Sequence, residues 1–191
     1  MKKVIKTFTM IFAFLGLLFY CIYAILDVIS IIKGMDTPYF INIIFYFLII
    51  GAMIIMFLGY SGRNANRFLS GSSTFLISIG ISSILNGIYL YMMYTPSIFE
   101  LVISLIIGIA AIYAFISLKK CFTSHTSKNT ISFIICMTII ILSYMISFIY
   151  LPTIFYVSVD FLNVVDIVFE PIGLFFFSTF ILSAGLELSN D

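Results

Sequence analysis

Charged residues are scarce in this chain of 191 residues, because Asp, Glu, Lys and Arg together make up only 9% of it. Soluble domains carry about 25% charged residues, and a mean hydropathy of +1.25 leaves too little polar surface for a soluble domain. The net charge of +1 excludes the basic excess of a nucleic-acid-binding protein. The composition therefore predicts that lipid surrounds most of the chain and that nucleic acid is not a partner.

Residue types that support metal or redox chemistry are also few, since the chain has only three cysteines and one histidine. It has no tryptophan. Cys21, Cys121 and Cys136 follow no metal-binding or redox spacing, and His125 has no cluster of acids or cysteines beside it in the sequence. The sequence contains no Walker loop, dinucleotide fingerprint, nucleophile elbow or zinc-binding His-Glu-x-x-His. We therefore expect no metal site, no cofactor and no enzymatic activity.

Long apolar runs are abundant, and six of them reach the length of about 20 residues that a helix needs to cross a bilayer. Backbone groups in hydrocarbon must be hydrogen-bonded, and the runs lack the alternation of barrel strands. We therefore predict an all-α, polytopic membrane protein with one transmembrane domain over residues 1–191. The expected helices cover about 7–32, 40–60, 74–94, 98–118, 131–150 and 161–186.

Basic residues are divided unevenly between the two sides that these six helices define. Eight of them fall on the side of the N-terminus, and only Lys33 falls on the other side. The eight are Lys2, Lys3, Lys6, Arg63, Arg67, Lys119, Lys120 and Lys128. Because basic loops stay on the cytoplasmic side, we expect both termini to be cytoplasmic.

The six helices can be arranged as three hairpins whose turns lie outside, and small residues mark the middle one. Ser83 and Gly87 lie four residues apart on the third helix, as do Ser104 and Gly108 on the fourth, with Ala111 on the same face. Such spacing lets two helix backbones approach closely in a membrane. We expect these residues to pack helices together rather than to bind a ligand.

This middle hairpin also resembles the repeat unit of a known family. A Gly-x₆-Gly helix begins at Gly80, the turn contains Pro96, and the return helix over 101–109 includes Gly108. The pattern is similar to that of the HdeD-like family, small six-helix bacterial membrane proteins built from three hairpins. The resemblance implies a non-enzymatic protein of a bacterial cell membrane that is associated with acid or envelope stress.

Acidic residues are concentrated on the side opposite to the basic ones, which makes that side attractive to cations or basic partners. Six of the eight acidic residues fall there: Asp27, Asp36, Glu100, Asp160, Asp166 and Glu170. On the sixth helix Asp160, Asn163, Asp166 and Glu170 are spaced three, three and four, so they form one stripe along its surface.

Two interpretations of this stripe remain open. If the sixth helix begins near Asp160, the stripe faces a polar cavity that holds a cation or relays a proton, and Pro171 frees a backbone carbonyl beside it. If the span begins at Ile167, the same residues lie in the interface and Pro171 falls near the first turn. Asp27 can likewise mark a cavity or a helix boundary, and for Asn86 a hydrogen bond between helices is expected before a ligand contact.

Three functions are compatible with these features. The first is a stress-linked membrane protein of the HdeD-like kind, which acts through a protein partner or as a homo-oligomer. The second is a transporter or substrate-binding subunit that takes a small solute or cation into the acidic cavity. The third is an immunity protein whose negative outer side binds a basic, membrane-active toxin. The lipid bilayer is a partner in all three.

Overall fold

The computed structural model describes residues 2–34, 40–93, 98–124, 126–154 and 161–189, which are almost entirely helical. The helices are α1 (Lys2–Gly34), α2 (Phe40–Ser61), α3 (Ala65–Met93), α4 (Ile98–Ser124), α5 (Ser127–Ile154) and α6 (Phe161–Ser189). Each contains a stretch that is long and apolar enough to cross a membrane. The predicted all-α architecture with six membrane-spanning helices is confirmed.

Helix α3 begins at Ala65 rather than at Thr74, and two local features explain the longer helix. Its N-terminus is capped, because the side-chain oxygen of Asn64 accepts a hydrogen bond from the Arg67 backbone N–H at 3.0 Å. Its polar first turns are tolerated because hydroxyls such as that of Ser72 donate to carbonyls one turn earlier, here at 2.8 Å. The apolar run thus starts later than the helix does.

The six helices form a ring in chain order, and α6 closes the ring against α1. The helices of each expected hairpin are neighbours, but α1 packs most extensively against α6 and only slightly against α2. The first hairpin is therefore held mainly by the helices on either side of it. We call the end of the ring with the C-termini of α1, α3 and α5 the acidic end, and the opposite end the basic end.

Two glycines permit the contact between α1 and α6. A Cβ atom on Gly16 would lie 2.7 Å from the backbone nitrogen of Phe177, and one on Gly173 would lie 2.8 Å from that of Tyr20. These distances are shorter than ordinary van der Waals contacts, so the two backbones approach this closely only because both positions lack a side chain. No pattern in the sequence predicted this pair.

The contact between α3 and α4 contains four of the five small residues expected to pack helices. A Cβ atom on Gly87 would lie 2.6 Å from the Cβ of Ser104, and one on Gly108 would lie 2.9 Å from the carbonyl oxygen of Gly80. Ala111 is fully buried. The fifth residue, Ser83, lies on a cavity wall instead.

The interior of the basic half is filled by large side chains, which we call the plug. Its members are all fully buried: Met53, Met56, Tyr60, Phe68, Phe75, Phe177 and Phe180. The ring centres of Phe177 and Phe180 are 5.0 Å apart, and those of Phe75 and Phe177 are 5.2 Å apart. Close aromatic packing therefore closes the interior on this side.

We predict that Gly16→Ala destabilises the protein by about 1–3 kcal/mol, because the added methyl group overlaps the α6 backbone. The matched control is Gly51→Ala, whose Cβ meets nothing within 4 Å and which removes a helical glycine. We expect this control to be neutral or stabilising by up to about 1 kcal/mol. Unfolding in mixed detergent micelles, followed by circular dichroism, measures both changes, and equal effects would contradict the prediction.

Candidate functional site

A cavity of about 130 Å³ lies in the acidic half of the ring, between α1, α2, α3, α5 and α6. Its polar wall residues are Tyr20, Tyr23, Tyr46, Ser82, Ser83, Asn86, Tyr144 and Glu170. Leu174 lies on the wall one turn after Glu170, and the fully buried Phe177 of the plug follows it on α6. The cavity is therefore a polar chamber that ends against the plug.

Glu170 is the carboxylate that the structure places on the cavity wall, and it is half-buried. Because α6 begins at Phe161, Pro171 lies inside the helix and not in its first turn. This start meets the condition on which the cavity interpretation depends. Pro171 is therefore not in a first turn, and it leaves the Ile167 carbonyl without its usual helical donor. The interfacial alternative for the stripe stays a prediction, since the candidate span begins at Val168.

The other members of the acidic stripe cannot be placed in the same way. Asn163 and Asp166 belong to α6, but their side chains lie outside the described residues, and so does Asp160 as a whole. Of the four expected residues, Glu170 is therefore the one that the structure assigns to the cavity.

Asp27 is connected to the cavity through two tyrosines. The Tyr46 hydroxyl donates to Asp27 Oδ2 at 2.5 Å, and the hydroxyls of Tyr23 and Tyr46 are 3.0 Å apart. Because the Tyr46 proton is used toward Asp27, the Tyr23 hydroxyl donates to the Tyr46 oxygen. Asp27 is thus part of a hydrogen-bond chain between α1 and α2, in addition to its place near the end of α1.

Three tyrosine rings stand at steep angles to one another on the cavity wall. Tyr20 and Tyr23 are inclined by 62° with their centres 5.6 Å apart, and Tyr23 and Tyr46 by 76° at 5.4 Å. Tyr20 and Tyr46 are inclined by 73° at 6.3 Å. The rings therefore form a corner, to which Tyr144 adds a phenol group from α5.

Glu170 is the carboxylate that shares the cavity wall with this corner of tyrosine rings. Its carboxylate interacts electrostatically with the phenol groups of Tyr20, Tyr23, Tyr46 and Tyr144. All four tyrosines share the cavity wall with it. One half-buried charge thus faces a wall made largely of aromatic rings.

Asn86 lies on the α3 side of the cavity, and its side chain is exposed. Within the described part of the chain, its amide makes no hydrogen bond to another helix. Asn86 therefore lies on the chamber wall, and the expected bridge between helices is not seen among the described residues.

The four tyrosines are the site residues that the sequence analysis missed. Tyr20, Tyr23 and Asp27 are spaced three and four, so they share a face of α1 and could have been recognised together. Tyr46 and Tyr144 offer no such local signal, because their neighbours in the cavity come from other helices.

A second carboxylate, Glu187, lies at the basic end and has a different environment. The Tyr60 hydroxyl donates to Glu187 Oε2 at 2.6 Å, and Tyr60 is itself fully buried in the plug. Lys6 Nζ lies 6.0 Å from the centre of the Tyr60 ring. Glu187 therefore accepts a hydrogen bond in the basic half, away from the cavity wall. A substitution at Glu187 is for this reason a suitable control for one at Glu170.

Comparison of the chain with protein-family models, with curated proteins and with solved structures finds no match. The resemblance of the middle hairpin to the HdeD-like family, the stress role that it implies and the toxin-immunity function stay predictions.

We predict that Tyr46→Phe destabilises the protein more than Tyr23→Phe does. The first change removes the donor to the Asp27 carboxylate and the acceptor for Tyr23, at a cost of about 2–4 kcal/mol, whereas the second removes one neutral hydrogen bond worth about 1 kcal/mol. Both substitutions keep the ring and its packing. Equilibrium unfolding of the two variants under identical conditions measures the difference, and a larger effect of Tyr23→Phe would refute the hydrogen-bond chain.

Proposed function

We propose that this chain is a membrane protein that binds a small cation in the cavity of its acidic half, as a carrier or as the substrate-binding subunit of a transporter. The observation that carries the proposal is the half-buried Glu170 carboxylate on the wall of a polar chamber within an apolar bundle. An ionised carboxylate within a membrane is costly, by about 2.5–3.5 kcal/mol or more at the bilayer centre, and Glu170 lies within the candidate span Val168–Ser189. A bound cation offsets that cost directly.

The shape of the interior supports a binding site that is closed toward the basic end. The exposed Asn86 lies on the cavity wall, whereas Phe75 and Phe177 close the interior below it. A carrier in one of its conformations has a site near mid-membrane that is accessible from one side and closed from the other. The plug supplies the closed side of such a site.

The distribution of exposed charge supports an orientation for the protein. Arg63, Arg67, Lys119, Lys120 and Lys128 are all exposed at the basic end. We place this end in the cytoplasm of a bacterial cell, with both termini there, because basic segments are retained on the cytoplasmic side. The cavity then lies on the outer side of the plug, and it captures its cation from outside the cell.

Cysteine labelling tests this orientation. We expect a membrane-impermeant maleimide on intact cells to label Thr95→Cys, in the connection between α3 and α4, but not Asn64→Cys, in the turn between α2 and α3. Both variants are made in a chain whose three native cysteines are replaced by alanine. Inverted membrane vesicles should give the reverse pattern, and labelling of Asn64→Cys on intact cells would overturn the orientation.

Cation-dependent thermal stabilisation tests the binding function. In lipid nanodiscs at constant ionic strength, we expect at least one small cation, inorganic or organic, to raise the melting temperature of the protein. A ligand at about 100 times its Kd contributes about 2.7 kcal/mol. Glu170→Gln should abolish the shift, because it removes the charge but keeps the shape of the side chain.

Glu187→Gln is the matched control, since it makes the same change at the basic end, away from the cavity wall. We expect this variant to keep the cation-dependent shift even where its basal stability falls. The proposal is wrong if no cation stabilises the unsubstituted protein, or if the shift survives Glu170→Gln.

A further inference from the structure

We infer that a groove between α1 and α2 in the basic half binds an anionic phospholipid, whose acyl chain lies in the groove and whose phosphate group pairs with Lys6. The groove has a volume of about 510 Å³ and shares no wall residue with the cavity of the acidic half. Lipid binding at this place is therefore independent of cation binding at Glu170.

The groove arises from the way in which α1 packs. In the acidic half, hydrogen bonds join Tyr23 and Asp27 of α1 to Tyr46 of α2. Farther toward the basic end, Gly16 brings α1 against the backbone of α6, and α1 packs only slightly against α2 as a whole. The space between α1 and α2 in the basic half thus stays open as a groove.

The wall of the groove is apolar and accessible to lipid. Ile11 and Phe14 are 44% and 59% exposed, and both lie within the candidate span Val4–Ile29. From Lys6 to Leu15 the groove follows α1 for about 14 Å, which is close to the roughly 15 Å of hydrocarbon in one leaflet. An acyl chain parallel to the helices therefore fits. The apolar wall residues are Met10, Ile11, Phe14, Leu15 and Phe57.

Lys6 gives the groove a positive end at the depth of the lipid headgroups. It follows the start of the candidate span by two residues, and its Nζ lies 6.0 Å from the centre of the Tyr60 ring. Arg63 also interacts electrostatically with Tyr60, so a second positive charge lies near this ring. The Glu187 carboxylate, which accepts a hydrogen bond from Tyr60, balances one of the two charges. A positive charge remains at the end of the groove.

This remaining charge selects the occupant of the groove. Basic pockets between membrane-spanning helices attract anionic headgroups. A zwitterionic lipid has the same acyl chains, but it brings its own cationic group close to Lys6. A second copy of the chain, inserted in the same direction, places its own basic end at the same depth, where like charges repel. An anionic phospholipid satisfies both the apolar wall and the charge.

Quenching of tryptophan fluorescence by brominated lipids tests the inference, because the chain contains no tryptophan. Phe14→Trp introduces one indole on the groove wall, and Tyr113→Trp introduces one on the outer surface of α4. The two native side chains are a matched pair, since each is 59% exposed. They also lie at similar depths, about 15–17 Å from the basic ends of their candidate spans.

Each full-length variant is reconstituted in phosphatidylcholine vesicles with increasing fractions of dibrominated phosphatidylglycerol or, in parallel, of dibrominated phosphatidylcholine. For Phe14→Trp we expect phosphatidylglycerol to be preferred over phosphatidylcholine about fivefold. For Tyr113→Trp we expect the two lipids to quench about equally, because this position is in contact with bulk lipid.

Substitutions of Lys6 in the Phe14→Trp chain identify the group that recognises the phosphate. Lys6→Gln should remove the preference for phosphatidylglycerol, whereas Lys6→Arg should keep it, because only the second retains the positive charge. Lys128→Gln is the control, since Lys128 is exposed at the basic end but lies outside the groove. Quenching is measured only on variants that unfold cooperatively, and survival of the preference in Lys6→Gln would overturn the role of Lys6.

Thermal stability of the protein without tryptophan keeps the test valid if the indole itself fills the groove. In detergent, dioleoyl phosphatidylglycerol should raise the melting temperature more than dioleoyl phosphatidylcholine does, and Lys6→Gln should make the two shifts equal. Equal shifts in the unsubstituted protein contradict the inference.

Two quenching results would also overturn the assignment. An equal preference for phosphatidylglycerol at Phe14→Trp and Tyr113→Trp indicates a general attraction of anionic lipid to the basic end and no site in the groove. Quenching of Tyr113→Trp by both lipids without quenching of Phe14→Trp indicates that protein, such as a second copy of the chain, covers the groove.

Discussion

The close contact between α1 and α6 determines the rest of this structure. Gly16 and Gly173 each occupy a place where a single methyl group would overlap the backbone of the other helix. Because neither glycine has a side chain, α1 and α6 can pack closely enough to close the ring. Tyr20 of α1 then lies directly beside Gly173 of α6, which is one turn from Glu170. The aromatic face of the first helix and the carboxylate of the last therefore meet in one cavity. A wider separation of the two helices would remove this wall.

Tyrosine–carboxylate hydrogen bonds fasten α2 to two helices against which it packs only slightly. Helix α2 packs well against α3 but only slightly against α1 and α6. Tyr46 near its start donates to Asp27 of α1, and Tyr60 near its end donates to Glu187 of α6. Hydrogen bonds to charged groups contribute about 1.5–3 kcal/mol each. Two of the three carboxylates described in the bundle thus fasten helices, whereas Glu170 faces the chamber.

The interior is divided into a filled half and a hollow half, and side-chain type explains the division. Methionine and phenylalanine side chains fill the basic half, because flexible thioethers and flat rings fit irregular spaces. The acidic half instead carries phenols, serines, an amide and a carboxylate. In a medium of low polarity such groups are stabilised by hydrogen bonds, by water or by a cation, and the chamber has room for the last two.

The sequence by itself determined the number and kind of helices, because every crossing needs about 20 apolar residues and must satisfy its backbone internally. It also indicated the α3–α4 contact, since Gly87 and Gly108 lie on consecutive helices that must pack side by side. Helix starts were less predictable, because serine and threonine near the start of α3 bond to their own backbone. Only the tertiary structure decided that α1 pairs with α6 and that Tyr46 and Tyr144 join Glu170. Residues far apart in the chain meet only when the ring closes. That closure depends on the close approach of two backbones at Gly16 and Gly173. A local pattern of hydrophobicity does not indicate such an approach.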